Sequence, residues 1–439
     1  MNNNIPSFPN LKICYDTPEI SSDSGLLFLA GNPLLTKLSN MIGQNITDTR
    51  NQSYVQHSYT ELVHQRILQI IGGYEDCNDS DILREDKVFQ TLVGKDCSLG
   101  SHSTMTRLEN SVGAKDLIRI GKGILDGFID SYSEAPELLV IDMDPSAHLV
   151  YGDQQQSLFN THVGEYCLMP FYVFEGVTGK MMTATIRPGK TPTAIEILSL
   201  LKRIVRQLRS KWPNVKLLFR GDSHHTKPAV MDWMEENRVD FITGLSPNSV
   251  LNRQFSDSIT KSKSRYESGV LDEYDSGKYA AGSWSKKRHV VCRIKSSSLG
   301  TDVRYIVTSL KNSSAKYLYE AVYCDRGNCE NYIKDMKLGT ISDRSSCTSA
   351  KANQFRLFLH AVAYAVLHNI REKVLKNTSL KSASIETIRL KLLKVASVIE
   401  VKKTVTVFHF PEKYKYKSIH NKIAKTSLNH KKINFKETG

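Results

Sequence analysis

The chain has 439 residues, 40% of them hydrophobic and 24% charged, a balance that fits a globular protein and excludes a disordered one. At about 150 residues per domain the length allows roughly two to four domains, with core enough to dispense with disulfide or metal staples. Lys and Arg outnumber Asp and Glu by 59 to 45, a net charge of +14. That excess makes a polyanion the expected partner, nucleic acid before membrane, beside the plainer reading that it serves solubility.

The eight cysteines form no C-x-x-C pair and are scattered through apolar stretches, as expected of reduced thiols in a cytosol rather than of a zinc site. The first residues, MNNNIPSFPN, have neither the basic nor the apolar part of a signal peptide. The most apolar helical stretch lies between Arg356 and Arg371, only 14 residues, interrupted by His360 and His368. About 20 apolar residues are needed to span a bilayer, so a buried helix and a cytoplasmic protein are expected.

In chain order, residues 1–130 read as mostly helical. Glu137 to Asp144 is an apolar run stopped by Pro145, the pattern of a buried strand. Tyr166 to Phe174 and Met181 to Ile186 form a hairpin around a turn at Gly176 to Gly179. Thr193 caps a helix with Ile197, Leu201, Ile204 and Leu208 on one face and Lys202, Arg203, Arg206 and Arg209 on the other. A fourth strand, Val215 to Phe219, ends at Gly221-Asp222; a helix over Lys227 to Asn237 and a fifth strand, Phe241 to Leu245, follow. The order β-β-β-α-β-α-β is that of an α/β, RNase H-like mixed sheet with helices on both faces.

Residues 246–318 break the pattern with Gly/Ser-rich turns and strand-like runs such as Arg288 to Ile294 and Val303 to Val307, predicting a β-rich insertion. Helical periodicity resumes near Ala315 and runs to about Lys376. The expected organisation is therefore a mostly helical N-terminal domain (1–130), an α/β core in two parts (135–245 and 319–376) around the insertion (246–318), and a basic C-terminal segment (377–439). From residue 371 onward there are 17 Lys/Arg against 5 Glu. Such a tail is either a solvated, partly disordered appendage or a DNA contact.

Two carboxylates fall at strand ends, Asp144 (or Asp142) and Asp222. A third, Glu330, lies in the helical segment after the insertion. At about 100° per residue, Tyr323, Arg326, Glu330 and Lys337 share one face if that helix starts early enough. Phosphodiester cleavage by two divalent metals needs carboxylates that hold the ions about 3.5–4 Å apart, one activating a water or 3′-hydroxyl and the other steadying the leaving oxygen. Mg²⁺ prefers oxygen ligands and keeps waters, so few carboxylates suffice. A neighbouring Arg binds phosphate two-handed and a Lys as a point charge. The plain alternative is that the aspartates cap strand ends and Glu330 pairs with Arg326 on a helix surface.

The spacing Tyr-x2-Arg-x3-Glu-x6-Lys at Tyr323, Arg326, Glu330 and Lys337 resembles the Tyr-Arg-Glu-Lys signature of bacterial insertion-sequence transposases with an Asp-Asp-Glu triad. Ser103 to Asn110, Arg326 to Asn331, Ala352 to Leu357 and Ala363-Tyr364 extend the resemblance over about 80–375. It implies a catalytic, metal-binding triad of Asp144, Asp222 and Glu330. Members often carry Asp two residues before Ser or Thr, which Asp144-Pro145-Ser146 satisfies and Asp142 does not. It further implies DNA-phosphate contacts at Arg326 and Lys337, with Tyr323 as a helper, and Mg²⁺ with Mn²⁺ as a substitute. The expected partners are double-stranded DNA (inverted-repeat ends and target) and a second copy in an active homodimer, near the bacterial nucleoid, without a membrane.

His224 lies close enough in sequence to approach the metal but reads as a cap or surface residue, and Asp153 as a loop residue. Trp284, between Gly-Ser and the cations Lys286, Lys287 and Arg288, either stacks on an unpaired base near the cut or packs on the insertion's own sheet. The leading reading is a transposase that cuts its element's ends and joins 3′-hydroxyls to target DNA. The alternatives are an RNase H-like endonuclease without strand transfer and a catalytically silent DNA-binding protein.

Overall fold

The computed structural model describes residues 15–427. Its first part is helical: α1 (Pro33–Asn45), α2 (Tyr59–Gly72), α3 (His102–Ser111) and α4 (Ala114–Ile129), with shorter turns between them. Local chemistry sets these ends. Asn32 accepts from the Leu35 amide at 3.0 Å ahead of Pro33, Ser58 and Glu61 form a capping box, and Gly73 closes α2 in the left-handed region at φ +93.

An eight-stranded sheet follows: β1 (Leu138–Pro145), β2 (Phe171–Glu175), β3 (Met181–Thr185), β4 (Lys216–Gly221), β5 (Val239–Leu245), β6 (Val270–Tyr279), β7 (Arg288–Ser297) and β8 (Gly300–Thr308). In space the order is β6-β7-β8-β5-β4-β1-β2-β3. Strands β1, β4 and β5 are parallel, and β2 and β3 run antiparallel on one side of them. The five-strand part, β3-β2-β1-β4-β5, is the RNase H-like arrangement. The parallel pairs need crossovers, supplied by α5 (Ala194–Lys211) and α6 (Pro228–Glu236). Helix α5 starts at a Thr193–Glu196 capping box and buries Ile197, Leu201, Ile204 and Leu208, the four positions picked out by periodicity.

The insertion differs from expectation in two ways. It opens with two short helices, Ser249–Gln254 and Ser256–Arg265. Its strands make no sheet of their own: β8 pairs antiparallel with β5 from Tyr305↔Leu245 to Thr308↔Ile242, so β6 to β8 extend the central sheet. The open β5 edge is thereby covered.

The later helices also differ. Leu318–Tyr323 is a π-helical turn, Cys324–Arg326 a 3-10 turn, and the α-helix α7 spans only Gly327–Thr340. Ile341, at φ +56, ends it, so α8 (Ala350–Lys373) is a separate helix. Helix α8 is buried through most of its length against α2 and α4. The apolar cluster around it joins Leu35, Ile67, Leu359, Val362, Leu392 and Ile423. The N-terminal helices therefore share their core with the C-terminal part, with no break near residue 130. No helix among the described residues is long and apolar enough to cross a membrane.

Two segments of the resemblance meet in this core. Glu109, of Ser103 to Asn110, lies 3.2 Å from Arg66 Nε and 3.4 Å from Nη1 of Arg356, of Ala352 to Leu357. All three side chains are buried, and the two guanidiniums also donate to the carbonyls of Tyr74 and Glu75 at 2.9 and 3.0 Å. These residues tie α2, α3 and α8 together.

The basic C-terminal segment is a folded element as far as residue 427. Strand Ser397–Val401 pairs with Thr406–His409 on one side and with Ile20–Ser21 on the other. Helix Lys417–Ser427 then lays His420 on the Phe28 ring, centroids 3.9 Å apart. The reading of a disordered appendage fails for 377–427 because Leu380, Ile385, Ile388, Leu392 and Ile423 are core residues.

Candidate active site

Asp142 and Asp144 project from the same face of β1, as alternation requires. Their surroundings differ. Asp142 is fully buried and accepts two bonds of 2.7 Å from Arg220, on neighbouring β4. Arg220 also donates to the carbonyls of Val322 at 3.0 Å and Gly176 at 3.3 Å. A Cβ at Gly176 would lie 2.5 Å from the Asp142 carboxylate, so a larger residue there would displace this ion pair. Asp142 is saturated by protein. Asp144, two residues on, opens into a cleft of about 400 Å³ between the end of β1 and α7.

Asp144 Oδ2 accepts from Arg326 Nη1 at 3.1 Å, and Arg326 Nη2 donates to Glu330 Oε1, also at 3.1 Å. The expected helical ion pair between Arg326 and Glu330 is present, but the guanidinium also reaches across to the sheet and joins the two carboxylates. Burial raises the Asp144 carboxyl to about 6; Arg326 opposes this, while Asp222 and Glu330 add to it.

Asp222 follows the end of β4, beside β1, and caps the short turn Ser223–His225. Its Oδ1 accepts from the His224 amide at 2.9 Å and lies 2.8 Å from His225 Nδ1; its Oδ2 lies 2.7 Å from His224 Nδ1. Burial works to raise its carboxyl, but the hydrogen bonds of His225 and His224 outweigh it, and the group sits well below the usual range.

Lys337 donates to Ser146 Oγ at 3.1 Å and to the Ala147 carbonyl at 2.7 Å, pinning the loop after Asp144. Tyr323 leaves the π-helical turn with its hydroxyl close over Gly244, where a Cβ would stand 2.8 Å away. Burial raises its hydroxyl's pKa, and the Asp222 charge adds to this. The uniform helical projection expected for all four signature residues holds only from Glu330 to Lys337. Tyr323 and Arg326 reach the site through the π and 3-10 turns, a local irregularity common at functional sites.

Trp284 is not at this site. The register Asp142↔Arg220↔Ile242↔Thr308↔His289 runs across the sheet. Everything before His289 on β7 therefore lies toward the opposite end from Asp144 and Asp222. There Trp284 packs edge-on to Tyr279 at 5.4 Å, with the Arg288 guanidinium 5.6 Å from its ring. Arg288 binds Asp232 and Glu235 of α6 at 2.6 and 2.7 Å, and Lys286 binds Glu235 at 3.0 Å. Trp284 thus lies against Tyr279 and Arg288, at the end of the sheet away from the carboxylates. The turn at the site end is the other one, Ser297–Gly300. Gly300 lies six residues beyond the level of Gly244, about 20 Å at about 3.4 Å per residue, and Leu299 at its tip is fully exposed.

Two residues lining the cleft and one buried beside it carry no sequence signal of their role. Lys334, four residues after Glu330, is exposed on the cleft wall and forms no ion pair among the described residues. Asp343 reaches Lys337 at 3.6 Å. His225 is fully buried beneath Asp222, where sequence attention had gone to His224, half-exposed on the other carboxylate oxygen.

Among the described residues no three Asp, Glu, His or Cys side chains are gathered closely enough to hold a metal ion as they stand, and Arg326 spans Asp144 and Glu330. The donor set nonetheless fits a hard divalent cation: three carboxylates, two on adjacent strand ends and one on the facing helix.

The sequence matches the family model described as transposase DDE domain, group 1, over residues 7–432. No curated protein matches it. Among solved structures, the cryo-EM structure of the piggyBac transposase synaptic complex with hairpin DNA aligns with 94% of this chain and 83% of that one, at 10% identity and a TM-score of 0.45.

Proposed function

The chain belongs to the DDE-domain transposase family, DNA-cleaving and strand-transferring enzymes that generally use divalent metal ions, and from that premise we propose that Asp144, Asp222 and Glu330 are its catalytic carboxylates. The observation that carries the assignment is the Arg326 bridge. One guanidinium joins the β1 carboxylate to the α7 carboxylate, while Asp222 stands close enough to perturb Asp144. Surface capping and a lone helical pair do not account for a cation shared between a strand end and a helix 182 residues away.

Asp144, Asp222 and Glu330 would hold Mg²⁺, with Mn²⁺ able to replace it. When bound, the ions polarise the attacking water or 3′-hydroxyl and steady the leaving oxygen. The chain's own groups do the rest. Arg326 and Lys334 supply cationic contacts for the phosphates beside the scissile bond. Lys337 holds the Pro145–Ala147 loop, and with it Asp144, against α7, and adds charge to the cleft. Tyr323 closes the side of the site next to Asp222.

The substrate is double-stranded DNA: the inverted-repeat ends of the element, then target DNA. Two ends are brought together by a homodimer. The tip of the β7–β8 hairpin, which projects past the carboxylates, contacts the DNA beside the cut. The bacterial insertion-sequence setting belongs to this same proposal.

The test is a strand-transfer assay with end-containing oligonucleotides and Mg²⁺. Glu330→Gln is expected to abolish cleavage and joining while leaving DNA binding near wild type. Wild-type activity in that variant removes Glu330 from the site. Cleavage without joining by the unmodified protein replaces the transposition mechanism with that of an endonuclease.

A further inference from the structure

Two adjacent histidines hold Asp222, and they are not equivalent. The His224 ring is about half exposed and lies on Oδ2; the His225 side chain is 0% exposed and lies on Oδ1. His225 is wedged between the Phe171 and Phe219 rings, at centroid distances of 6.1 and 5.5 Å. It fits only because residue 221 is glycine, since a Cβ there would stand 2.8 Å from the imidazole.

The other ring nitrogen, Nε2, is buried with no hydrogen-bond partner. A hydrogen on that atom would be a buried, unpaired donor, costlier than a bare lone pair. The ring therefore keeps its hydrogen on Nδ1 and donates it to Asp222. A leucine would fill the same apolar slot without stranding a nitrogen. What histidine adds there is the bond to the carboxylate.

We propose that His225 is a positioning residue for Asp222, fixing Oδ1 from beneath so that Oδ2, which lies against the half-exposed His224 ring, is presented to the divalent cation. The inference rests on the reading of Asp222 as a metal-binding carboxylate. Side chains that orient a ligand in this way typically account for about 10–100-fold in metal affinity. His224 is the displaceable partner and His225 the permanent one.

The experiment measures binding of Mn²⁺ alone to the DNA-free protein by electron paramagnetic resonance, with the thermal midpoint and DNA cleavage of every variant. His225→Leu is expected to weaken Mn²⁺ binding by about 10–100-fold. His225→Asn, whose amide N–H falls where Nδ1–H was, is expected to restore it to near wild type. Asp222→Asn is expected to lose it. Wild-type Mn²⁺ affinity in His225→Leu, with affinity lost in Asp222→Asn, overturns the role of His225 and leaves the site assignment standing. Wild-type affinity in Asp222→Asn overturns both. If His225→Leu does not fold, His225→Gln replaces it, its N–H set one bond farther out. Weaker binding than in His225→Asn then supports the role, and equal binding in the two overturns it.

Discussion

Asp142 and Arg220 form a two-armed ion pair, 2.7 Å on each arm, inside the sheet and two residues from the carboxylate that opens to the cleft. Removing one partner of a buried pair strands the other charge, at a cost of about 3–5 kcal/mol. Asp142→Asn is therefore expected to lose stability on that scale in urea unfolding. Asp144→Asn is expected to keep its fold and lose cleavage. An Asp142→Asn protein of wild-type stability that fails only in catalysis would exchange the two assignments.

Arg326 competes with any cation for Asp144 and Glu330. Arg326→Ala should bind Mn²⁺ more tightly than wild type in the absence of DNA, by roughly tenfold for about 1.4 kcal/mol of relieved competition. It should also cleave DNA more slowly, because the phosphate contact is gone. Titrations followed by electron paramagnetic resonance and single-turnover cleavage check both halves. Unchanged metal affinity would mean that the bridge opens without cost.

Trp284→Ala should destabilise the protein by roughly 2–4 kcal/mol through lost packing on Tyr279 and Arg288. Its residual cleavage should fall equally on duplex and pre-opened ends. Preferential rescue by pre-opened DNA would return the indole to the cut. Trimming paired residues from the β7–β8 arm behind Ser297–Gly300, by contrast, should weaken DNA binding without lowering the thermal midpoint.

Exposed lysines on the C-terminal segment, Lys413, Lys415, Lys422 and Lys425, separate its charge from its packing. Cutting the chain near Lys376 would also remove core residues such as Leu392 and Ile423. Changing the four lysines to Gln leaves that core in place. If they neutralise phosphates, the slope of log affinity against log salt should flatten by about 0.9 per lysine. An unchanged slope would make the segment structural only.

His420 is buried, with Nε2 2.8 Å from the Leu392 carbonyl, and burial lowers its pKa from 6.5 to about 4. A histidine with a lowered folded pKa binds fewer protons when folded than when unfolded between those two values. Stability is therefore lost as pH falls from about 6.5 toward 4. His420→Gln should be less stable than wild type at pH 7.5, and the gap should narrow at pH 5. Urea melts at the two values test the sign, and a gap that widens in acid would refute it.

The parts of this molecule that were legible in the sequence are those fixed by short-range patterns. The strand ending at Asp144, the α5 face of Ile197, Leu201, Ile204 and Leu208, and the Asp222 turn follow from periodicity and turn chemistry within about 20 residues. What stayed hidden depends on register and long-range pairing. Trp284 and Leu299 sit in equally polar turns of the same insertion; only the β8–β5 alignment decides which turn stands beside the carboxylates. A constant angle per residue could not anticipate the π-helical turn that swings Tyr323 and Arg326 inward. Nor could local pattern reveal that Ile20 pairs with Val398. His225 was the nearest miss, three residues past Asp222 in an apolar slot.

The pairing of Ile20 with Val398 and the stacking of His420 on Phe28 fix an order in time. The helix Lys417–Ser427 that covers the turn Ser24–Leu29 is synthesised long after it. A chain that breaks off before about residue 420 keeps every carboxylate of the cleft but leaves Phe28 and its neighbours bare. Such a fragment exposes a sticky apolar surface to the cell's quality control. A break in the chain ahead of this helix thus separates an intact cleft from an uncovered core.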